Sequence, residues 1–190
     1  MNSSKRIFIF VWLSLLPFVV RASCYEKTRS AEDNYATCRQ AAGQGDAMAQ
    51  FFLGQMYRNG QGVEKNLQEA VNWYREAASR NNRLAQYNLG WLYDTGEGVA
   101  QNSEEAMAWY AKAARLGDPY APFNIGAAYY RGRDVPRNPE NALFWFEVAI
   151  VNGNEKARKW RAKIAEHLSP EQLENVQRRL QDWVSEKPEK

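Results

Sequence analysis

The sequence predicts an all-α protein made by stacking helical hairpins, and three observations carry that expectation. The chain matches itself at a shift of 36 residues, each copy holds two segments with helical apolar spacing, and glycine and asparagine fall where such helices must end and begin. A fixed period of this length marks an array whose units bury their apolar sides only against their neighbours. Nine positions agree in all three copies: Ala49/Ala85/Ala121, Gly54/Gly90/Gly126, Tyr57/Tyr93/Tyr129, Gly60/Gly96/Gly132, Val63/Val99/Val135, Asn66/Asn102/Asn138, Ala70/Ala106/Ala142, Trp73/Trp109/Trp145 and Ala77/Ala113/Ala149.

Taken in order, Asp46, Asn82 and Asp118 precede the first helix of each copy as N-caps, Asn154 continues the series, and Pro119 fits a first helical position. Ala49, Leu53, Met56 and Tyr57 share one face of that helix. Gly54, Gly90 and Gly126 fall in mid-helix, where glycine costs about 1 kcal/mol against alanine. Close approach of a neighbouring helix is the offsetting gain the sequence suggests. Gly60, Gly96 and Gly132 end the helix in the left-handed conformation. Gly62 and Gly98 follow, replaced in the third copy by Asp134, a residue that tolerates positive φ. Asn66, Asn102 and Asn138 cap the second helix, Glu69 and Glu105 predict capping boxes, and Pro139 takes the first turn of the third copy. Ala70, Trp73, Tyr74 and Ala77 form the buried face of this helix.

The ends are atypical. Residues 34–43 read as a lone second helix in which Cys38 stands where Tyr74 stands. After residue 154 the pattern decays, with Arg161, Ala162 and Ala165 at the leucine, glycine and tyrosine positions, as a cap with a wet outer side requires. Ser169-Pro170-Glu171-Gln172 opens a closing helix with Leu173, Val176, Leu180, Trp183 and Val184 on one face. Full repeats over 46–81, 82–117 and 118–153 with capping helices over 154–190 thus make one domain, 23–190.

Residues 1–22 read as an export signal: Lys5 and Arg6 precede an apolar run over 7–20, and Val20-Arg21-Ala22 resembles a cleavage site. As a helix that run spans about 21 Å, short of the ~30 Å hydrocarbon core. Arg21 stands where a lipoprotein signal needs an aliphatic residue before Cys24, so a lipid anchor is disfavoured. The expectation is a periplasmic or secreted chain with no membrane span after processing. Removal of Lys5, Arg6 and Arg21 leaves 22 basic against 22 acidic residues, a balance that offers nucleic acid no field. Cys24 and Cys38 predict one disulfide, worth on the order of 3 kcal/mol. They lack the C-x-x-C spacing of a redox pair.

The motif Ala85-x-x-x-Leu89-Gly90-x-x-Tyr93-x-x-Gly96-x-Gly98-Val99, followed by Ala106-x-x-Trp109-Tyr110-x-x-Ala113-Ala114, resembles the Sel-one-like repeat family, relatives of the tetratricopeptide repeats. The resemblance covers roughly 34–157. It implies a right-handed α-solenoid of antiparallel helix pairs and adaptor roles in bacterial envelopes or eukaryotic secretory compartments, with no particular partner. It also implies that one stripe on the first helices lines the inner face. That stripe carries Phe51, Gln55 and Arg58, then Tyr87, Trp91 and Asp94, then Phe123, Ala127 and Tyr130. Its aromatics either pack within the array or touch a protein or peptide partner. A second candidate is the basic run Lys156, Arg158, Lys159, Arg161 and Lys163 around Trp160, otherwise the solvated face of a cap.

Catalysis has little to stand on. His167 is the single histidine, and no metal-ligand cluster, nucleophile elbow or phosphate-binding loop after a strand is present. The reading is therefore an exported scaffold with no cofactor or metal, binding a protein or peptide partner in the bacterial cell envelope. Two alternatives stay open. Cysteine-rich members of the resembled family bind or hydrolyse penicillin-like compounds, though they pair cysteines within each repeat; the chain could also be a purely structural homodimer.

Overall fold

Each 36-residue copy folds as an antiparallel pair of helices joined by a glycine turn. The computed structural model describes residues 24–132 and 134–186; the expected export signal over 1–22 lies outside the described residues. Three hairpins are formed by α2 (Ala47–Asn59) and α3 (Leu67–Ser79), α4 (Arg83–Thr95) and α5 (Ser103–Arg115), and α6 (Ala121–Arg131) and α7 (Pro139–Val151). Each packs on the next through α3 against α4 and α5 against α6. α1 (Ala31–Gly43) precedes them, and α8 (Ala157–Ala165) and α9 (Pro170–Ser185) close the array. Among the described residues there is no strand, and no helix is long and apolar enough to cross a membrane.

The mid-helix glycines make room for an aromatic ring. A Cβ on Gly54 would lie 2.6 Å from the Tyr74 ring, one on Gly90 2.5 Å from Tyr110, and one on Gly126 3.1 Å from Phe146. The approaching group is a side chain of the hairpin's own second helix. Gly60, Gly96 and Gly132 end their helices at φ 70°, 75° and 67°, and Asp134 adopts φ 63° where Gly62 and Gly98 have 70° and 76°.

The expected capping boxes at Glu69 and Glu105 are half-formed. Asn66 and Asn102 accept the N–H of Glu69 and Glu105 through their side chains. Their own backbone N–H groups, which the glutamates would need, donate instead to the carbonyls of Tyr57 and Tyr93 at 2.8 and 2.9 Å. Asn138 repeats the arrangement with Tyr129 at 3.0 Å. A bond of this kind sews the start of each second helix to the end of the first.

The third hairpin starts differently from expectation. Asp118 Oδ1 accepts from the N–H groups of Tyr120 and Ala121, both at 2.9 Å, yet the helix begins at Ala121 and Pro119 lies outside it. Pro122 is the cause, since it has no N–H with which to close a first turn onto Asp118. In the other copies Gln50 and Gln86 supply that bond to Asp46 and Asn82 at 2.9 and 3.0 Å. Their side-chain amides also reach the carbonyls of Ala42 and Ala78 at 3.3 and 3.2 Å. Pro122 loses both donors. The Asn152 amide replaces them, donating to Ala114 O and Asp118 O at 2.9 Å each.

At the N-terminal end a Cys24–Cys38 disulfide ties the leading segment to α1, which starts at Ala31, earlier than expected, behind a Ser30 cap. Buried Asn34 holds the same segment, accepting from Glu26 N–H at 2.9 Å and donating to Glu26 O at 2.8 Å. Tyr25 stacks on Phe52, ring centroids 5.0 Å apart.

At the other end Asn154 heads a turn, and α8 begins only at Ala157. Trp160 anchors that helix, stacked on Phe146 and edge-on to Tyr130. α9 carries the full capping box between Ser169 and Gln172. It lays Val176 and Trp183 on α7, with Arg115 3.6 Å above the Trp183 ring. Val184, expected on this apolar face, is 46% exposed, at the edge of the stripe near the chain's end.

Candidate binding groove

The predicted stripe divides by register into a packed row and two half-exposed rows. In the first row every aromatic leans on the ring that fills its hairpin's glycine gap: Phe51 on Tyr74 at 6.0 Å, Tyr87 on Tyr110 at 5.8 Å and Phe123 on Phe146 at 5.3 Å. Phe51, expected at the groove surface, is only 4% exposed and belongs to the core. Tyr87 and Phe123 remain half-buried. Burial raises the Tyr87 phenol, with a hydrogen bond to Asn124 pulling the other way.

The second and third rows bring Arg58 and Trp91 together. The guanidinium sits 4.1 Å from the Trp91 ring centroid, and its Nε donates to Glu97 Oε1 at 3.3 Å. The pair bridges the first two hairpins and holds the indole in one orientation. Beneath it the Tyr74 phenol is pushed up to about 12 by burial, only partly relieved by the Arg58 charge. Gln55 is half-exposed beside this cluster in sequence register.

Asp94 and Ala127 line a cavity of about 90 Å³ between the second and third hairpins, with Ser103, Ala128, Arg131 and Asp134. Two substitutions open it. Ala128 stands where Met56 and Leu92 are fully buried, and Asp134 stands at a glycine position. A Cβ on Gly98 would meet Leu67 Cβ at 2.9 Å, so a side chain there keeps the loop from closing as tightly.

Tyr130 lies at the far end, 5.2 Å from Trp160, with the Arg137 guanidinium 5.9 Å and the Lys163 ammonium 5.7 Å from its ring centroid. The expected basic run around Trp160 does not act as a unit. Arg158 pairs with Glu155 and Arg161 with Glu147, while Lys156 and Lys159 point into solvent. Glu147 is raised by burial against the pull of Arg161 and Arg158. Lys163 alone joins the groove, one repeat length beyond Ala127 and so in the same stripe. Reading the sequence for first-helix aromatics passes over Glu97, Arg137 and His167. The first two sit in the loops after the helices, and continuing the stripe register into α8 would have reached Lys163. Among the described residues no three side chains of metal-ligating type converge.

Stacked helical hairpins with a glycine gap repeated in each define an α-solenoid. The chain belongs to the Sel1 repeat family, which matches it at 47–82, 83–118 and 119–154. It is similar to a Sel1 repeat protein from Oxalobacter formigenes, with 33% identity over 70% of this chain and 55% of that one and a TM-score of 0.67. It is also similar to a protective antigen of uropathogenic Escherichia coli with an SLR fold, with 26% identity, 82% and 41% coverage and a TM-score of 0.59. The chain therefore spans about half the length of these solved relatives. No curated protein matches it.

Proposed function

We propose that this chain is a scaffold that holds a protein or peptide partner along the inner stripe of its first helices. The observation that supports this best is Trp91, half-exposed at the centre of the stripe under the Arg58 guanidinium, which Glu97 holds in turn. An aromatic held in place loses little freedom on binding, which is the usual character of an interface anchor. Tyr87, Tyr130, Asp94 and Gln55 flank it with aromatic and polar contacts; Phe51 serves packing. The work takes place outside the cytoplasm, in the periplasm or secreted, after removal of residues 1–22. A disulfide that closes the N-terminal cap supports that location. No catalytic role is assigned.

The test is affinity capture with cross-linking from envelope extracts, comparing the chain with its Trp91→Ala/Tyr130→Ala variant. The scaffold reading expects the variant to lose its captured partner with helicity unchanged. Retention of the same partner by the variant would place the interface elsewhere.

A further inference from the structure

We propose that the C-terminal end of the groove is a carboxylate pocket, built by Arg137 and Lys163 around Tyr130, that takes a glutamate or aspartate side chain of the bound partner. This rests on the groove reading and adds the chemistry of what the groove selects. The cavity holds about 110 Å³ and is lined by Tyr130, Arg137, Pro139, Lys163, Ile164 and His167. The space is open to solvent on one side and has room for a carboxylate on a short stem.

Its charge is uncompensated. Along the groove and α8, Arg58, Arg158 and Arg161 each have a carboxylate within 4 Å. Arg137 and Lys163 have none among the described residues, although the chain beyond residue 22 carries as many acids as bases. Both cations lie within 6 Å of the Tyr130 ring, and Lys163 is 5.9 Å from Trp160. Both side chains are solvent-exposed and line one space beside these aromatic faces. Arg137 offers a planar fork that a carboxylate can meet with two hydrogen bonds, and Lys163 adds a point charge. His167 Nδ1 lies 3.0 Å from the Lys163 carbonyl, which fixes the ring as a wall of the pocket.

The other end of the groove contrasts with this one. There Arg58 already has Glu97, so an incoming acid gains nothing new. A peptide with an acidic residue is thereby oriented, its acid toward α8.

The experiment is an NMR titration of the ¹⁵N-labelled purified chain with acetyl-Ala-Glu-Ala-amide, its Gln counterpart, glutarate and inorganic phosphate. Binding of the Glu peptide is expected to move the Arg137 Nε and Trp160 indole signals saturably, and the Gln peptide to leave them still. Lys163→Gln and Arg137→Gln should each weaken the Glu peptide about fivefold with the melting temperature unchanged. Equal response to the Gln peptide, no saturable shift, or tighter binding of phosphate overturns the proposal. Tighter binding of glutarate than of the peptide overturns the partner side chain as its occupant. Trp91→Ala separates the two readings. A chain that loses its partner with Trp91→Ala but keeps it with Arg137→Gln/Lys163→Gln retains the groove without the pocket.

Discussion

The second and third hairpins keep the same nine repeat positions and close onto their neighbours in different ways. In the second, Gly90 lies under the Tyr110 ring, Gly98 presses on Leu67, Gln86 supplies both donors at the helix start, and Leu92 fills the interior. In the third, Phe146 stands further from Gly126, Asp134 replaces the second glycine, Pro122 removes both donors and Ala128 leaves a cavity. The shared positions are those the backbone cannot do without: left-handed turn residues, helix caps and the gap for a ring. The varied ones sit at the seam between hairpins and along the groove. A repeat array can therefore alter its seams and its half-exposed stripe locally while the stacking persists.

The largest effect should come from the glycine gap. Gly90→Val forces a branched side chain into a ring whose nearest atom is 2.5 Å from an ideal Cβ, and should lower stability by about 3 kcal/mol or more. Gly126→Val should cost less, because Phe146 stands 3.1 Å away. Denaturant melts of both variants check the order, and equal losses would break the comparison.

Next comes a pH effect from the ring itself. The Tyr74 phenol, at about 12 in the folded chain against about 10 unfolded, stays neutral longest when folded. Its contribution is thus fully present below pH 10 and is lost as pH rises through 12, a fall of about 2–3 kcal/mol. Tyr74→Phe, which gives the first hairpin the ring of the third, should remove that part of the alkaline slope. The slope that remains belongs to Tyr57, raised to about 12 chiefly by its hydrogen bond with Tyr35 and then by burial, and to Tyr87, raised by burial. Stability followed from pH 9 to 12 decides it.

Asn152→Ala should cost about 2 kcal/mol, since it removes the amide donor from two carbonyls that Pro122 cannot serve. Ala at the equivalent Leu116 should change much less. The smallest effect is a gain. Ala128→Leu gives the third hairpin the residue of the second and should fill the seam cavity for about 1 kcal/mol, seen as a raised melting temperature.

These seams also mark where the sequence stops being legible. Gly60, Gly96 and Gly132 announce their turns because a left-handed φ is a local demand, and the asparagine caps are local for the same reason. The capping boxes at Glu69 and Glu105 fail because the N–H they need is taken by a tyrosine carbonyl nine residues earlier, a bond set by how the hairpin closes. Asn152 carries no local sign of its role, which depends on two carbonyls more than thirty residues away. The site was legible in the same measure. Trp91 and Tyr130, picked out by the stripe register, are both half-exposed, but only the placement of Tyr74 shows that Phe51 is core. The basic run looked like one patch because charge is visible in sequence and its pairing with Glu147 and Glu155 is not.

The most direct test of the scaffold account is site-specific photo-cross-linking in cell-envelope preparations. A photoreactive residue at position 55 or 127, on the inner stripe, should capture a discrete partner, and the same residue at position 72 or 108, exposed on the second helices, should not. Capture from positions 72 and 108 with none from 55 and 127 would contradict the account.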